Sequence, residues 1–335
     1  MKPPMNQSPN AIFVNNLVKT FQGREGPVHA VRGLDLEIFQ GECFGLLGPN
    51  GAGKTTTVEI LEGLTEPTSG TVEIFGTTWQ KSEMELRNRI GVTLQETRLP
   101  DHSTVLEMTR LFRSFYAKGP APLDVLKLVA LDSKAGSLVE TLSGGQQRRL
   151  AVALALVGDP DLLFFDEPTT GLDPQSRRQL WDVIRDLQGR GRTTILTTHY
   201  MDEAEKLCDR IAIVDTGQVI ALGSPRELIL KLGGDHIVEF AIEGPKIEVE
   251  PFAQLASVQK ARQEGDGFAL TVSEPHRTIP ELLDYLAANQ LELARLTTRQ
   301  ASLEDVFVSL TGRHLRDNEE SSTQPLKRGR RNRRS

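Results

Sequence analysis

The sequence has few of the features that would place it in a membrane or in an oxidising compartment. Only 2 of its 335 residues are cysteines, and neither Cys43 nor Cys208 has a nearby cysteine or histidine at metal-ligand spacing. No apolar run exceeds the nine residues 150–158, whereas a membrane-spanning helix needs about 18. The first residues also lack the apolar core of a secretory signal. These absences predict a cytoplasmic protein that does not itself cross a membrane.

The composition is that of a folded globular chain with room for about two domains. The chain is 38% apolar and 25% charged, and these values exclude a disordered or fibrous protein. Four continuous apolar runs predict strands that are buried on both faces. The runs lie at 43–47, 162–165, 193–196 and 211–214. Because helical patterns at 146–157 and 177–187 separate the later runs, the sequence predicts an α/β fold with a parallel sheet.

Three further stretches differ from this α/β pattern. Apolar and polar residues alternate at 34–38 and 72–74, which predicts half-buried antiparallel strands. Helical patterns over about 96–157 predict a helical subdomain that is inserted into the core. Strand-like residues resume after Gly233-Gly234, and Ser302-Leu303-Glu304-Asp305 is a capping-box pattern that starts a closing helix. The predicted boundaries are 11–232 for a first domain, 235–312 for a small α+β C-terminal domain, and 313–335 for a disordered tail.

A glycine-rich loop carries the first chemical signal. The loop follows a buried run directly and precedes a helical pattern, which is the context that the motif G-x-x-x-x-G-K-S/T requires. It consists of Gly48, Pro49, Asn50, Gly51, Ala52, Gly53, Lys54 and Thr55, and Thr56 begins the helix. Glycines let backbone N–H groups curl around a phosphate, the Lys54 ammonium suits the β and γ oxygens, and the Thr55 hydroxyl suits Mg²⁺. The alternative is a plain glycine turn between a strand and a helix, and the placement favours nucleotide binding.

Polar residues end several of the predicted strands and supply groups for phosphate chemistry. Asp166 and Glu167 follow a buried run, at the strand ends where open α/β sheets bind ligands. Asp166 suits Mg²⁺, and Glu167 can polarise an attacking water as a general base, whereas a polar end that caps the next helix is the alternative. His199 ends another strand and could contact a γ-phosphate or be structural. Gln95 follows a further strand and could contact Mg²⁺ or water, although a surface glutamine is the default.

A second anion-binding pattern lies far from the phosphate loop in the sequence. Leu142 precedes Ser143, Gly144, Gly145 and Gln146 at the start of a helical pattern. A serine hydroxyl and glycine N–H groups at a helix N-terminus can bind an anion, and they can equally form an ordinary N-cap. A single nucleotide does not need two such sites in one chain, so the role of the second site needs an explanation.

Together these motifs resemble the ATP-binding subunits of ABC transporters over residues 11–230. The matching elements are the phosphate loop, Gln95 in the Q-loop, the signature 142–146, the strand that leads to Asp166 and Glu167, Asp173 in the D-loop, and the switch histidine His199. The resemblance implies a P-loop NTPase core with an antiparallel β subdomain, and ATP and Mg²⁺ as cofactors. It implies that Thr55, Gln95 and Asp166 hold the metal, and that Glu167 and His199 are catalytic.

The same resemblance explains the second anion site. In this family two ATPase domains pair head to tail, and the signature of each domain covers the ATP that the other domain holds. Ser143, Gly144, Gly145, Gln146 and Asp173 would therefore act on the nucleotide of a partner chain. Because the sequence contains one such cassette, the simplest partner is a second copy of the chain, in a homodimer.

Two further features refine the resemblance. Phe21 aligns with an aromatic residue that stacks on adenine in the family, where tyrosine is commoner, and phenylalanine keeps the ring face. An apolar residue of the N-terminal sheet is the alternative. Residues 302–313 resemble the closing helix of bacterial ATPases of the daunorubicin/doxorubicin efflux type. This implies the export of a small molecule (a drug, an antibiotic or a lipid-like compound) through a separate multi-pass membrane permease.

The resemblance also implies where the chain works and leaves other functions open. The ATPase would lie on the cytoplasmic face of the cell membrane, with the helical segment from Gln95 to Tyr116 as its docking surface for the permease. Import instead of export stays open. The alternatives from other classes are an ABC ATPase that acts on ribosomes or DNA, and a nucleotide-gated scaffold for an envelope complex.

The net charge of −6 conceals a basic segment. Residues 327–335 contain six arginines and lysines and no acidic residue. Because no aromatic residues are interleaved, the segment does not fit a single-strand binder that stacks on bases, and no specific nucleic-acid partner is predicted. Either it is a solvated end, or it makes weak contact with anionic lipids.

Overall fold

Three sheets organise the described part of the chain. The computed structural model describes residues 9–23, 26–93, 99–100, 102–234, 236–243 and 247–312. The strands are β1 (Asn10–Gly23), β2 (Gly26–Phe39), β3 (Cys43–Leu47), β4 (Ser69–Ile74), β5 (Ile90–Thr93), β6 (Leu162–Asp166), β7 (Thr193–Thr198), β8 (Arg210–Asp215), β9 (Gln218–Gly223), β10 (His236–Glu243), β11 (Val258–Glu264), β12 (Gly267–Val272) and β13 (Glu292–Gln300). The predicted tail at 313–335 lies outside the described residues.

Helices cover these sheets and connect their strands. They are α1 (Lys54–Leu61), α2 (Trp79–Arg89), α3 (Val105–Ser114), α4 (Pro122–Leu128), α5 (Gly144–Leu156), α6 (Pro174–Gly189), α7 (Met201–Leu207), α8 (Pro225–Leu230), α9 (Glu250–Ala253), α10 (Pro275–Ala288) and α11 (Leu303–Thr311). Three of them, α3, α4 and α5, lie between β5 and β6 in the chain, which is the position predicted for a helical insertion. None of the helices in the described ranges is long and apolar enough to cross a bilayer.

The central sheet has six strands in the order β5-β6-β7-β3-β8-β9. Strands β5, β6, β7, β3 and β8 are parallel, and β9 pairs antiparallel with β8. Every residue of β3, β6 and β7 is buried, as their continuous apolar runs predict. The α/β fold predicted from the sequence is therefore confirmed.

A separate antiparallel sheet, β2-β1-β4, packs on one side of the central sheet. Buried and exposed residues alternate at 34–38, as the sequence pattern predicts, whereas at 72–74 Val72 and Glu73 are both half-buried and Ile74 is buried. The buried residues Ile12, Leu36 and Ile74 of this sheet share one apolar cluster with Phe44 of β3 and with Val58 of α1. The sheet is thereby fixed against the strand and the helix that flank the phosphate loop.

The C-terminal sheet, β11-β12-β10-β13, is antiparallel. On one face, Phe240, Phe252 and Phe268 form an aromatic core under α10. On the other side, Phe307 of α11 joins the same apolar cluster as Leu228 of α8 and the central strands. Helix α11 therefore connects the C-terminal sheet to the central sheet and α8, whereas the domain boundaries at 232 and 235 stay predictions.

A buried carboxylate fixes the start of α11. Asp305 is 1% exposed, and it accepts hydrogen bonds from Arg262 at 2.8 Å and from Arg299 at 2.7 and 2.9 Å. It also accepts one from the Ser302 N–H at 2.9 Å, as the capping-box pattern predicts. Burial alone would raise the pKa of Asp305, but these donors hold that pKa well below its usual range.

Asp305→Asn should lower the free energy of unfolding at pH 7 by about 2 kcal/mol, because it removes the buried charge that two partly buried arginines share, and leaves Arg262 with Glu264 and Arg299 with Glu239 as their remaining charge partners. The carboxylate contributes stability above its unfolded-state pKa of about 3.9 and loses it as pH falls toward the folded value. The difference between variant and wild type should therefore shrink in strong acid. Urea denaturation at pH 7 and pH 3, with the exposed Asp284→Asn as control, measures this. Equal stabilities at pH 7 would contradict it.

Candidate functional site

The carboxyl ends of three adjacent strands bring the predicted groups together. Strands β6, β7 and β3 are neighbours in the central sheet, and they run parallel. The phosphate loop follows β3, Asp166 ends β6, and His199 follows β7. Because parallel strands end at one edge of a sheet, these groups share one cleft.

The phosphate loop has the backbone geometry that its glycines predict. Gly53 has a φ of 100°, and a Cβ there would collide with the carbonyl oxygen of Ala30. The Lys54 side chain is buried, and its Nζ donates to the carbonyls of Gly48 at 2.8 Å and Pro49 at 3.1 Å. Burial lowers the pKa of Lys54, while Glu167 and Asp166 act in the opposite direction. The loop thus holds an ammonium group at the N-terminus of α1, where an anion is favoured.

Glu167 is held in an unusual backbone conformation. Its φ of 44° lies in the left-handed region, which favours glycine. Its N–H donates to the Thr197 hydroxyl at 2.9 Å, and its carboxylate accepts from the Thr170 hydroxyl at 3.2 Å. His199 Nδ1 lies 3.4 Å from the other carboxylate oxygen. Hydrogen bonding to His199 lowers the pKa of Glu167 against the effect of burial, so the carboxylate is ionised and able to accept a proton.

Asp166 has the properties of a metal partner more than of a base. It is 7% exposed, and it accepts a hydrogen bond from the Thr197 hydroxyl. Burial raises its pKa, while the Thr197 hydroxyl and Lys54 oppose this. Mg²⁺ takes one or two carboxylates together with hydroxyl, water and phosphate oxygens. The Asp166 carboxylate and the exposed Thr55 hydroxyl fit this set, whereas Gln95 lies outside the described residues.

A cleft of about 770 Å³ lies above these groups, a volume suited to a nucleotide. Its walls come from the phosphate loop, from Glu167 and His199, and from the antiparallel sheet. The lining residues include Asn50, Gly51, Gly53, Lys54, Thr55 and Thr56. Phe21 of β1 lies at the rim and is 40% exposed, with Lys19 Nζ 4.8 Å from its ring centre. A ring in this position is available to stack on a base, so it is not simply part of the apolar core.

The signature and the D-loop do not line this cleft. Ser143 caps α5. Its hydroxyl accepts a hydrogen bond from the Gln146 N–H at 3.4 Å, and the Gln146 side-chain oxygen accepts one from the Ser143 N–H at 3.0 Å. Asp173 caps α6 by accepting from two backbone N–H groups. A side-chain hydrogen bond with Ser176, together with those backbone donors, lowers the pKa of Asp173. Ser143, Gly144 and Asp173 are exposed, so they are accessible to a second molecule.

Three residues of the site are not found by motif reading. Thr197 bonds both Asp166 and Glu167, Thr170 bonds the Glu167 carboxylate, and Arg148 donates to backbone carbonyls beside them. The one signal in the sequence for Thr197 is its position in the polar pair that ends β7. Arg148 lies two residues after the signature, but no spacing rule links it to the strand end 18 residues away.

Comparisons with known proteins agree with this geometry. The family model described as ABC transporter matches residues 31–170, and the model described as ATP-binding protein DrrA1-3-like, C-terminal domain, matches residues 223–311. The chain is 41% identical over 292 residues to Nod factor export ATP-binding protein I of Cupriavidus metallidurans, covering 86% of this chain and 94% of that protein. It is 39% identical to the protein of the same name from Ralstonia nicotianae, covering 90% and 94%.

Solved structures give the same assignment. A dimeric, post-hydrolysis structure of the ATP-binding cassette MJ0796 bound to ADP and Pi is similar with a TM-score of 0.58 and 28% identity, over 64% of this chain and 98% of that chain. An ATP-binding subunit of an ABC transporter gives a TM-score of 0.60 and 25% identity, over 67% and 93%. The chain therefore belongs to the ABC transporter family, as one of its ATP-hydrolysing subunits, and carries a C-terminal domain of the DrrA1-3 type.

Proposed function

We propose that two copies of this chain enclose two ATP molecules and power the export of a small molecule through a separate membrane permease. The observation that carries the pairing is the exposure of Ser143 and Asp173 at helix N-termini that do not line the cleft of their own chain. Each is preorganised by its cap hydrogen bonds, and a helix N-terminus favours a phosphate. A head-to-tail dimer supplies each cleft with these groups from the partner.

The cleft residues then divide the chemistry of hydrolysis. Glu167 accepts a proton from the attacking water, and His199, whose Nδ1 lies 3.4 Å from the Glu167 carboxylate, holds that carboxylate in place. Lys54 moves from its backbone carbonyls to the β and γ oxygens. Mg²⁺ supplies charge neutralisation when it is bound by Thr55, Gln95 and Asp166. Hydrolysis removes contacts that both chains share, so the closed dimer loses its advantage and opens.

A groove beside the helical insertion supports a permease partner. It lies between α2, α3 and α5, has a volume of about 480 Å³, and is lined by Phe112, Phe115, Tyr116 and Leu154 among others. Met84 and Phe115 at its rim are 76% and 68% exposed. Exposed large apolar side chains around a concavity are typical of a protein-binding surface. The groove includes part of the segment that the sequence predicts as the docking surface.

A buried carboxyl group gives this groove a polar point of contact. Glu62 is 5% exposed, lines the groove, and has an oxygen without a hydrogen-bond partner among the described residues. Burial, together with the charges of Asp166 and Glu59, raises the pKa of Glu62 to about 8. An unpaired buried oxygen is costly, so a docked segment that brings a hydrogen-bond donor or a cation gains from meeting it.

The relatives support the proposed direction of transport and the proposed substrate class. Both relatives described above are named for Nod factor export, and the C-terminal model match is to DrrA1-3-like proteins. We therefore assign this chain to export of a small drug-like, antibiotic or lipid-like compound, from the cytoplasmic face of the membrane. The basic segment 327–335 adds at most a weak contact with anionic lipid and no specific nucleic-acid binding.

Replacing the two rim residues tests the assignment to a permease. Met84→Glu together with Phe115→Glu should reduce by at least tenfold the amount of chain retained by a co-expressed multi-pass permease, because two charges would be buried at the contact. Co-purification and ATP-dependent transport into inverted vesicles measure this. The matched control is Leu283→Glu, which alters a leucine of α10 that is 42% exposed. Equal retention and transport by all three proteins would refute the docking surface.

A further inference from the structure

Arg148 connects the signature helix to the backbone of the catalytic loop in the same chain. It lies on α5, and its Nε donates to the Pro168 carbonyl at 2.9 Å. Its Nη2 donates to the carbonyls of Asp166 at 2.8 Å and Glu167 at 2.5 Å. Three consecutive carbonyl oxygens therefore converge on one guanidinium group.

The convergence depends on the left-handed conformation of Glu167. With a φ of 44°, the Glu167 carbonyl turns toward α5 while its N–H remains bonded to Thr197 on β7. The residue is thus held from both sides, by Thr197 at its nitrogen and by Arg148 at its oxygen. A non-glycine residue keeps this conformation only where its surroundings impose it. Without Arg148 the Glu167 carbonyl keeps the Thr170 N–H as a donor at 3.3 Å but loses the guanidinium, so the backbone that carries the Glu167 carboxylate is held less firmly.

The chemistry of the contact requires an arginine. A guanidinium carries five N–H donors in a rigid planar fork, so one side chain can reach three acceptors at once. A lysine ammonium keeps the charge but donates from a single point. Burial lowers the pKa of Arg148, and the negative charges of Asp166, Glu167 and Glu203 act in the opposite direction, so they favour any cation there. Geometry, more than charge, therefore distinguishes arginine from lysine at this position.

The other end of the connection is the signature itself. Arg148 lies five residues after Ser143, on a helix that runs without interruption from Gly144 to Leu156. Ser143 and Gln146 close a capping box at its N-terminus, so the signature and Arg148 move as one rigid unit. A shift at the N-terminus of α5 is carried directly to the carbonyls that Arg148 binds.

We infer that Arg148 is a positioning residue, which sets the orientation of Glu167 in its own chain when the signature of that chain engages the nucleotide of the partner. This inference rests on the proposed dimer around two ATP. It makes each catalytic loop responsive to the ATP bound in the other cleft, which is a route for cooperativity between the two sites. Arg148 itself touches neither nucleotide in this scheme.

Single substitutions test the positioning role. Arg148→Ala should lower kcat for ATP hydrolysis by the purified full chain at least tenfold, with KM for ATP within twofold of wild type, because the phosphate loop is untouched. The kcat of Arg148→Lys should lie between that of Arg148→Ala and that of wild type. The exposed neighbour Gln147→Ala is the matched control and should match wild type. A kcat within twofold of wild type for Arg148→Ala, or a parallel loss of ATP binding, would overturn the inference.

A double-mutant cycle tests the link to the signature. If a shift of the signature at Ser143 reaches Glu167 through Arg148, the double variant Ser143→Ala/Arg148→Ala should have a kcat close to that of the less active single variant. Independent roles would instead multiply the two losses, and that result would overturn the link. The dimer is assayed separately, by sedimentation of Glu167→Gln with ATP. If the dimer forms and the two losses multiply, only this inference is overturned. If no dimer forms, the proposed function itself is overturned.

Discussion

Glu167→Gln should bind ATP as tightly as wild type, hydrolyse it about 10³-fold more slowly, and accumulate as a dimer in the presence of ATP. The amide keeps the size of the side chain but cannot take a proton from water, and general-base catalysis contributes typically 10²–10⁴-fold. Nucleotide binding is spared because the phosphate loop and Lys54 stay intact. The dimer accumulates because hydrolysis is the step that removes the contacts shared by the two chains.

Three measurements on the same preparation separate these effects. Calorimetry gives the ATP affinity, phosphate release gives the rate, and sedimentation with and without ATP gives the oligomeric state. Glu292→Gln on β13 is a control for the loss of one carboxylate, since it lies exposed and far from the cleft. A Glu167→Gln protein that stays monomeric and hydrolyses ATP at the normal rate would exclude Glu167 as the base.

Much of the central sheet and of the cleft could be predicted from local sequence. Buried parallel strands read as continuous apolar runs, so β3, β6, β7 and β8 were each marked by their own residues. In an open α/β sheet, ligand-binding groups lie at the carboxyl ends of the strands. The fold class alone therefore predicts that Asp166 and His199 lie at the same edge of the sheet. The phosphate loop was predictable because glycine adopts positive φ angles, and allows close approach of the backbone, more readily than any other residue.

The connections between distant segments could not be predicted in this way. The carbonyls that Arg148 binds lie about 20 residues further along the chain, and nothing in the pattern of α5 marks that residue as different from its neighbours. The left-handed φ of Glu167 is equally hidden, because glutamate carries no propensity for it. Both features depend on how β6, β7 and α5 pack together.

In the C-terminal part, the sequence likewise predicts a helix but not the segments that it packs against. The capping pattern at Ser302 predicted where α11 begins, but not that Phe307 would join the core around α8. The backbone N–H of Leu303 also donates to the carboxylate of Glu205 at 2.7 Å, on the helix that follows His199. A sequence pattern defines which face of a helix is apolar, and it does not say which neighbour covers that face.

Lys54→Ala should weaken ATP binding by at least 100-fold, which corresponds to about 3 kcal/mol. The Lys54 ammonium lies at the phosphate loop, where it donates to two backbone carbonyls, and the residue is 4% exposed. Hydrogen bonds to charged groups contribute about 1.5–3 kcal/mol each, and Lys54 can serve two phosphate oxygens. The apo protein should lose little stability, because the removed ammonium is itself costly to bury and its acceptors are two loop carbonyls.

Calorimetry and thermal melting together measure this effect. ATP should raise the melting temperature of wild type by mass action and leave that of Lys54→Ala unchanged at the same nucleotide concentration. Lys81→Ala is the matched control, since it removes a lysine from the exposed surface of α2 and should behave as wild type. Unchanged ATP affinity in Lys54→Ala would mean that the loop binds no phosphate, and the assignment of the whole cleft to nucleotide would then fail, because Glu167, His199 and Phe21 acquire their roles from a nucleotide placed by this lysine.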